Sequence, residues 1–284
     1  MKNVWIAGIV AAAIATPAMA ADMGLPLKAP PVPYVSDWSG VYVGLEGGYG
    51  WGQQDIDATY KFYSVGAFID PTGSAVIGSV NQSGGLFGGF VGAQKQWNNW
   101  VLGVEANFDG ADIDGSTSGV GGSTGIRHTE VWHDSVAASS KIDELGSVRA
   151  KIGYQPVQNW LVYGTGGLAF AHETYSATAT QTCTGTGFAV PFICSVPGNV
   201  FSATGSGGNS MLGWAAGAGV DWKWNIDAGS SLILGAEYLH YQFPTSTIVG
   251  SNNANVLVGN LAAVNSTQSV DAVMLRLSYL FSIH

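Results

Sequence analysis

Residues 270–281 read VDAVMLRLSYLF. With the two-residue period of a strand, Val273, Leu275, Leu277, Tyr279 and Phe281 share one face, while Ala272, Met274, Arg276, Ser278 and Leu280 share the other. A soluble sandwich can cover such an apolar face with a second sheet. Here the face ends in two aromatics and the opposite face carries an arginine, which suits a strand with lipid on one side and a polar lumen on the other.

The same alternation recurs along the chain. In residues 38–51, Val41, Val43, Leu45 and Tyr49 oppose Tyr42 and Glu46; in 84–97, Phe87, Val91 and Ala93 oppose Gln94 and Gln96. A third strand runs to Asp109 with Leu102, Val104, Ala106 and Phe108 outward and Glu105, Asn107 and Asp109 inward. In 146–154, Val148, Ala150, Ile152 and Tyr154 oppose Ser147, Arg149 and Lys151. Residues 160–171 are apolar on both faces, so their sides stay unassigned. In 211–224, Trp214, Ala216, Ala218, Val220 and Trp222 oppose Gly213, Gly217, Gly219, Asp221 and Lys223, and in the next segment Leu232, Leu234, Ala236 and Tyr238 oppose Gly235 and Glu237.

With the last segment this makes eight strands. Short connections (Asn98-Asn99, 155–159 with Pro156, and 225–230) alternate with long ones (53–83, 112–140, 172–209 and 243–269). The expected fold is all-β, an eight-stranded antiparallel up-and-down transmembrane β-barrel with long extracellular loops and periplasmic termini. Closure removes every sheet edge, which hydrocarbon requires because an unpaired backbone group there has no water to turn to. A lipocalin-like soluble barrel would point its apolar residues inward. The inward set here instead contains Glu46, Glu105, Arg149, Lys151, Glu237 and Arg276, which read as an ion-pair network plugging the lumen. Trp51, Trp97, Trp100, Trp160, Trp214, Trp222, Tyr154 and Tyr279 fall near strand ends as aromatic girdles. Ser282, Ile283 and His284 are expected to hang free beyond the closing strand.

Composition agrees with an exported membrane protein. Residues 1–20 carry one cation at Lys2, an apolar run over 4–15 and Ala18-Met19-Ala20, the pattern of a cleaved signal peptide. Residues 21–37 hold Pro26, Pro30, Pro31 and Pro33 and read as a periplasmic leader to a barrel over 38–284. No run of 18 apolar residues follows, so no helical span is expected. With 10 Lys+Arg against 19 Asp+Glu, the chain lacks the basic surface a nucleic-acid partner needs. Cys183 and Cys194 share one Ser/Thr/Gly-rich segment of an exported chain, where a loop-stapling disulfide is the first reading and metal binding the second.

Other motifs read mostly as scaffold. Gly164-Thr165-Gly166-Gly167 matches a loose dinucleotide fingerprint, but no helix or βαβ repeat follows. His128 and His133 flank Glu130 and Trp132 and are the candidates for haem iron or a metal, against a solvated loop. His240 is a rim residue, and no Ser/His/acid arrangement is readable. Asp55, Asp57, Asp70, Asp112, Asp114, Glu130 and Asp134 make the loops acidic, either to solvate them or to share divalent cations with lipopolysaccharide phosphates.

The segments WSGVYVGLEGGYGWG, LGSVRAKIGY, GWAAGAGVDWKW and LGAEYLHY, with the Pro-rich leader, resemble the small outer-membrane porin-like family of alphaproteobacteria, the outer-membrane immunogenic proteins. The resemblance implies an OmpA-like eight-stranded barrel at the surface of a Gram-negative cell, with roles in envelope integrity and surface recognition. In some members it implies haemin binding, and otherwise no cofactor. The ending also resembles the C-terminal assembly signal of such barrels, carried here by Tyr279 and Phe281. Expected partners are outer-membrane lipid and lipopolysaccharide, the barrel-assembly machinery and a host or surface ligand on the loops. No enzyme activity is expected; the alternatives are a small-solute porin and a surface haemin or ligand receptor.

Overall fold

The computed structural model describes residues 37–64, 72–124, 131–183, 200–227, 229–251 and 258–282. The signal and most of the leader therefore lie outside the described residues. The strands are β1 (Gly40–Ser64), β2 (Thr72–Trp97), β3 (Trp100–Thr124), β4 (Val131–Val157), β5 (Trp160–Cys183), β6 (Val200–Asn225), β7 (Ser230–Ser251) and β8 (Val258–Ser282). Each pairs antiparallel with its chain neighbours, and β8 returns to β1, so the sheet closes into an eight-stranded barrel.

Three connections form one end, the turn end. Asn98 and Asn159 take positive φ values of 54° and 68° there, a conformation asparagine tolerates because its short amide can bond locally. At the other end the strands run on as four long arms. This corrects the expected loops: much of 53–83, 112–140, 172–209 and 243–269 is paired strand. The arms are rich in Ser, Thr and Gly with no continuous apolar face, so the alternation that reveals a half-buried strand is missing. Their ladders continue nonetheless, as from Gly115↔Ser140 to Thr124↔Val131, because antiparallel pairing needs only backbone groups.

The outward face is apolar over one band. On β1 it runs from Val41 through Val43, Leu45 and Tyr49 to Trp51, all exposed, and on β8 from Phe281 back to Val273. About 11 residues at ~3.3 Å each, tilted by about 40°, span roughly 28 Å, the height of a bilayer's apolar band. β5, unassignable from its sequence, turns Leu161, Tyr163, Thr165 and Ala169 inward and Val162, Leu168 and Phe170 outward. Both faces are apolar because the lumen itself contains two apolar layers. Two glycines make room for the layer nearer the turns: a Cβ on Gly92 would sit 2.3 Å from the Tyr42 ring, and one on Gly219 2.5 Å from the Tyr163 ring.

Ser282 does not hang free. It pairs with Gly40, and its N–H donates to the Gly229 carbonyl at 2.9 Å. Ile283 and His284 lie outside the described residues.

Candidate functional site in the lumen

The lumen is filled in layers. At the turn end Trp38, Tyr42, Phe90, Val101, Leu161, Tyr163, Ile233 and Leu280 form a buried aromatic and aliphatic stopper. The Trp38 backbone is fixed from both sides, its amide N–H donating to Gln96 Oε1 at 2.8 Å and its carbonyl accepting from Gln94 Nε2 at 2.9 Å. The Lys223 ammonium lies 4.9 Å from the Trp38 ring and donates to the Asp37 carbonyl.

The charged layer is centred on Arg276. Its guanidinium reaches Glu46 at 3.0 Å, Glu105 at 2.6 Å and Glu237 at 2.8 Å, donates to the Tyr163 hydroxyl at 2.9 Å and stacks 3.9 Å from the Phe90 ring. Arg149 joins Glu105 at 2.9 Å and Glu237 at 2.8 Å, and also donates to Thr165. Two of these contacts follow from register, since Glu46 stands opposite Arg276 and Glu105 opposite Arg149. The Arg276–Glu237 contact joins the paired strands β7 and β8, whereas the Arg276–Glu105 and Arg149–Glu237 bonds cross the lumen between unpaired strands. Lys151 does not join the three glutamates by a direct bond; it pairs with Asp221 at 2.9 Å, its ammonium 3.9 Å from the Tyr163 ring.

Several members were not anticipated as part of the network. Tyr42 donates to Glu105 at 2.9 Å, Thr165 to Glu237 at 3.0 Å, and Asn107 to Glu46 at 3.0 Å and to Asp109 at 2.6 Å. Tyr42, Asn107, Asp109 and Asp221 already had inward parity; their height in the barrel was the missing signal. The void among Tyr42, Phe90, Glu105, Lys151, Asp221 and Arg276 measures ≈ 10 Å³, room for about one water. Beyond the charges a second apolar layer includes Leu86, Ile113, Ile142, Leu145, Met211, Tyr241 and Met274.

The girdle candidates divide between two heights. Trp97, Trp100, Tyr154, Trp160, Trp222 and Tyr279 face outward towards the turn end, joined by Trp224 and Phe281; Trp51 and Trp214 face outward towards the arms. Trp100 and Tyr154 meet edge to face at 5.2 Å, and the Tyr279 and Phe281 rings lie 4.8 Å apart. Of the weaker candidates, His133 is exposed on the β4 arm, whereas His128 lies outside the described residues. Cys194 lies outside them too, as does the side chain of Cys183, and with them the disulfide reading.

Two histidine contacts occur on the outer wall. His240 Nδ1 lies 2.7 Å from Asp271, which also accepts from Tyr238. His172 Nδ1 lies 3.1 Å from Ser210 Oγ. Glu144 stands opposite His172 in the β4–β5 register, but no hydrogen bond joins them among the described residues, and the pair lacks the orienting acid of a hydrolytic triad. On the arms Lys141 pairs with Asp112 at 2.8 Å; that hydrogen bond raises its pKa above the ordinary lysine value.

A closed antiparallel sheet with an apolar band outside and ion pairs inside is a transmembrane β-barrel. The family described as outer membrane protein beta-barrel domain matches residues 8–263, and the chain belongs to it. It is 35% identical over 176 residues to the 31 kDa outer-membrane immunogenic proteins of Brucella melitensis and Brucella suis, a match covering 60% of this chain and 66% of each relative. Among solved structures, the attachment invasion locus protein Ail of Yersinia pestis is similar at 13% identity and a TM-score of 0.26, covering 83% of this chain and 99% of Ail. The protein is thus an outer-membrane β-barrel related to the outer-membrane immunogenic proteins.

Proposed function

We propose that this barrel is a non-catalytic structural and surface-recognition element of the outer membrane, with a lumen that passes no solute. The observation that carries the reading is Arg276 held by three carboxylates on three other strands, beside a void of only ≈ 10 Å³. A hydrated ion or solute would have to part these buried pairs and then both apolar layers. The even strand number puts the start of β1 and the end of β8 together at the turn end, which this reading places in the periplasm with the arms outside. Recognition then belongs to the arms, and the description of the Brucella relatives as immunogenic fits exposure of that kind.

Planar-bilayer recording of the purified protein tests the closed lumen. We expect a flat baseline or brief small events; a stable, large single-channel conductance overturns the reading.

A further inference from the structure

On the arm side of the second apolar layer lies a ring of five polar side chains from five strands: Gln54 (β1), Gln82 (β2), Ser140 (β4), Glu173 (β5) and Gln268 (β8). Glu173 is 1% exposed and Gln268 0%. Gln268 donates to Gln82 at 3.0 Å; Gln82 donates to Gln54 at 3.2 Å and to Ser140 at 2.7 Å; Gln54 donates to Glu173 Oε1 at 2.7 Å, as does Ser140. Two of these donors thus converge on one carboxylate oxygen, Glu173 Oε1.

The remaining oxygens, Glu173 Oε2 and Gln268 Oε1, are buried without a hydrogen-bond partner among the described residues. Nor does a cationic side chain pair with Glu173 there. Lys95 is exposed beyond the outer wall and Lys141 is engaged on the arms, while Arg149, Lys151 and Arg276 are committed to carboxylates of the charged layer. Leu86, Ile113, Ile142 and Met274 separate that layer from the ring. A buried carboxylate without a counter-charge is costly, and the ring otherwise offers only neutral oxygens.

We propose that the ring binds one hard, oxygen-seeking cation anchored on Glu173 Oε2. One carboxylate with amide and hydroxyl oxygens is the ligand chemistry that hard cations select over softer metals. The glutamine amides can present oxygen instead of nitrogen by a half-turn about the last side-chain bond, so Gln54, Gln82 and Gln268 can become ligands without moving the strands. The site does not depend on whether the lumen conducts, since it would tie five strands together in either case.

The test is unfolding of the full barrel, purified in detergent and stripped with chelator, in calcium, magnesium, sodium or choline chloride at constant ionic strength. Calcium or sodium should raise the unfolding midpoint by several degrees over choline, and which of the two acts distinguishes a divalent from a monovalent occupant. Glu173→Gln should abolish the response while leaving the midpoint in choline at or above wild type. An Asp112→Asn, Asp114→Asn variant, altered only on the exposed arms, should keep it. Should Glu173→Gln fail to fold, Gln268→Glu adds a second carboxylate and should lower the half-saturating calcium concentration about tenfold. Equal midpoints in all four salts, or a full response retained in Glu173→Gln, overturns the site.

Discussion

The charged layer and the glutamine ring bury carboxylates in the same lumen by different means. In the layer, Glu46, Glu105 and Glu237 each touch a guanidinium; in the ring, Glu173 is met by amide and hydroxyl donors among the described residues. The barrel's rigidity resides in the charged layer. Opposite charges out of water attract strongly enough to join strands across the lumen, whereas neutral donors solvate a charge without cancelling it.

Removing the central cation should have the largest effect. Arg276→Met leaves Glu46 without its guanidinium and leaves Glu105 and Glu237 sharing Arg149, so we expect a loss of about 3–5 kcal/mol, the usual cost of stranding a buried charge. Urea unfolding in detergent, read from the different gel migration of folded and unfolded barrels, measures it; a loss below about 1 kcal/mol would mean the layer is not what joins the strands. Tyr42→Phe is gentler, since it removes one donor from Glu105 and no charge. It should cost about 1.5–3 kcal/mol, the worth of a hydrogen bond to a charged group, and a larger loss than Arg276→Met would invert the comparison.

The smallest effect belongs to a carboxylate held by neutral donors in open water. Asp227, in the β6–β7 turn, accepts from Ser230 and from the Gly229 N–H at 2.8 Å, and the Ser230 bond above all lowers its pKa. With the folded value depressed, its stabilisation is present above the unfolded value of about 3.9 and fades as pH falls through the folded one. Asp227→Asn should therefore remove a slight acid-side decline in the unfolding midpoint. An unchanged pH profile would show that neutral donors in water contribute nothing measurable.

Much of the barrel could be read from alternation alone, and the limits of that reading are physical. The β1, β3, β4, β6, β7 and β8 parities follow from lipid on one face and charge on the other. β5 gave no such contrast because Leu161 and Tyr163 enter an apolar stopper, as unpolar as the lipid outside. The arms gave none because their Ser-, Thr- and Gly-rich sequence has no continuous apolar face, so strand such as Gly115↔Ser140 resembled loop. The partner of Lys151 was missed for a different reason: Asp221 lies two strands away, and no local spacing relates the two.

What the sequence determined by itself is therefore direction. Successive side chains leave a strand on opposite sides whatever its neighbours, so period two sorted Arg276, Arg149 and the three glutamates to the inside before any pairing was known. Only the closed sheet decided which of them meet. The stagger between strands sets each residue's height in the lumen, and height alone brings Glu237 of β7 to Arg149 of β4, or leaves Glu173 among amides beyond an apolar layer from the nearest arginine.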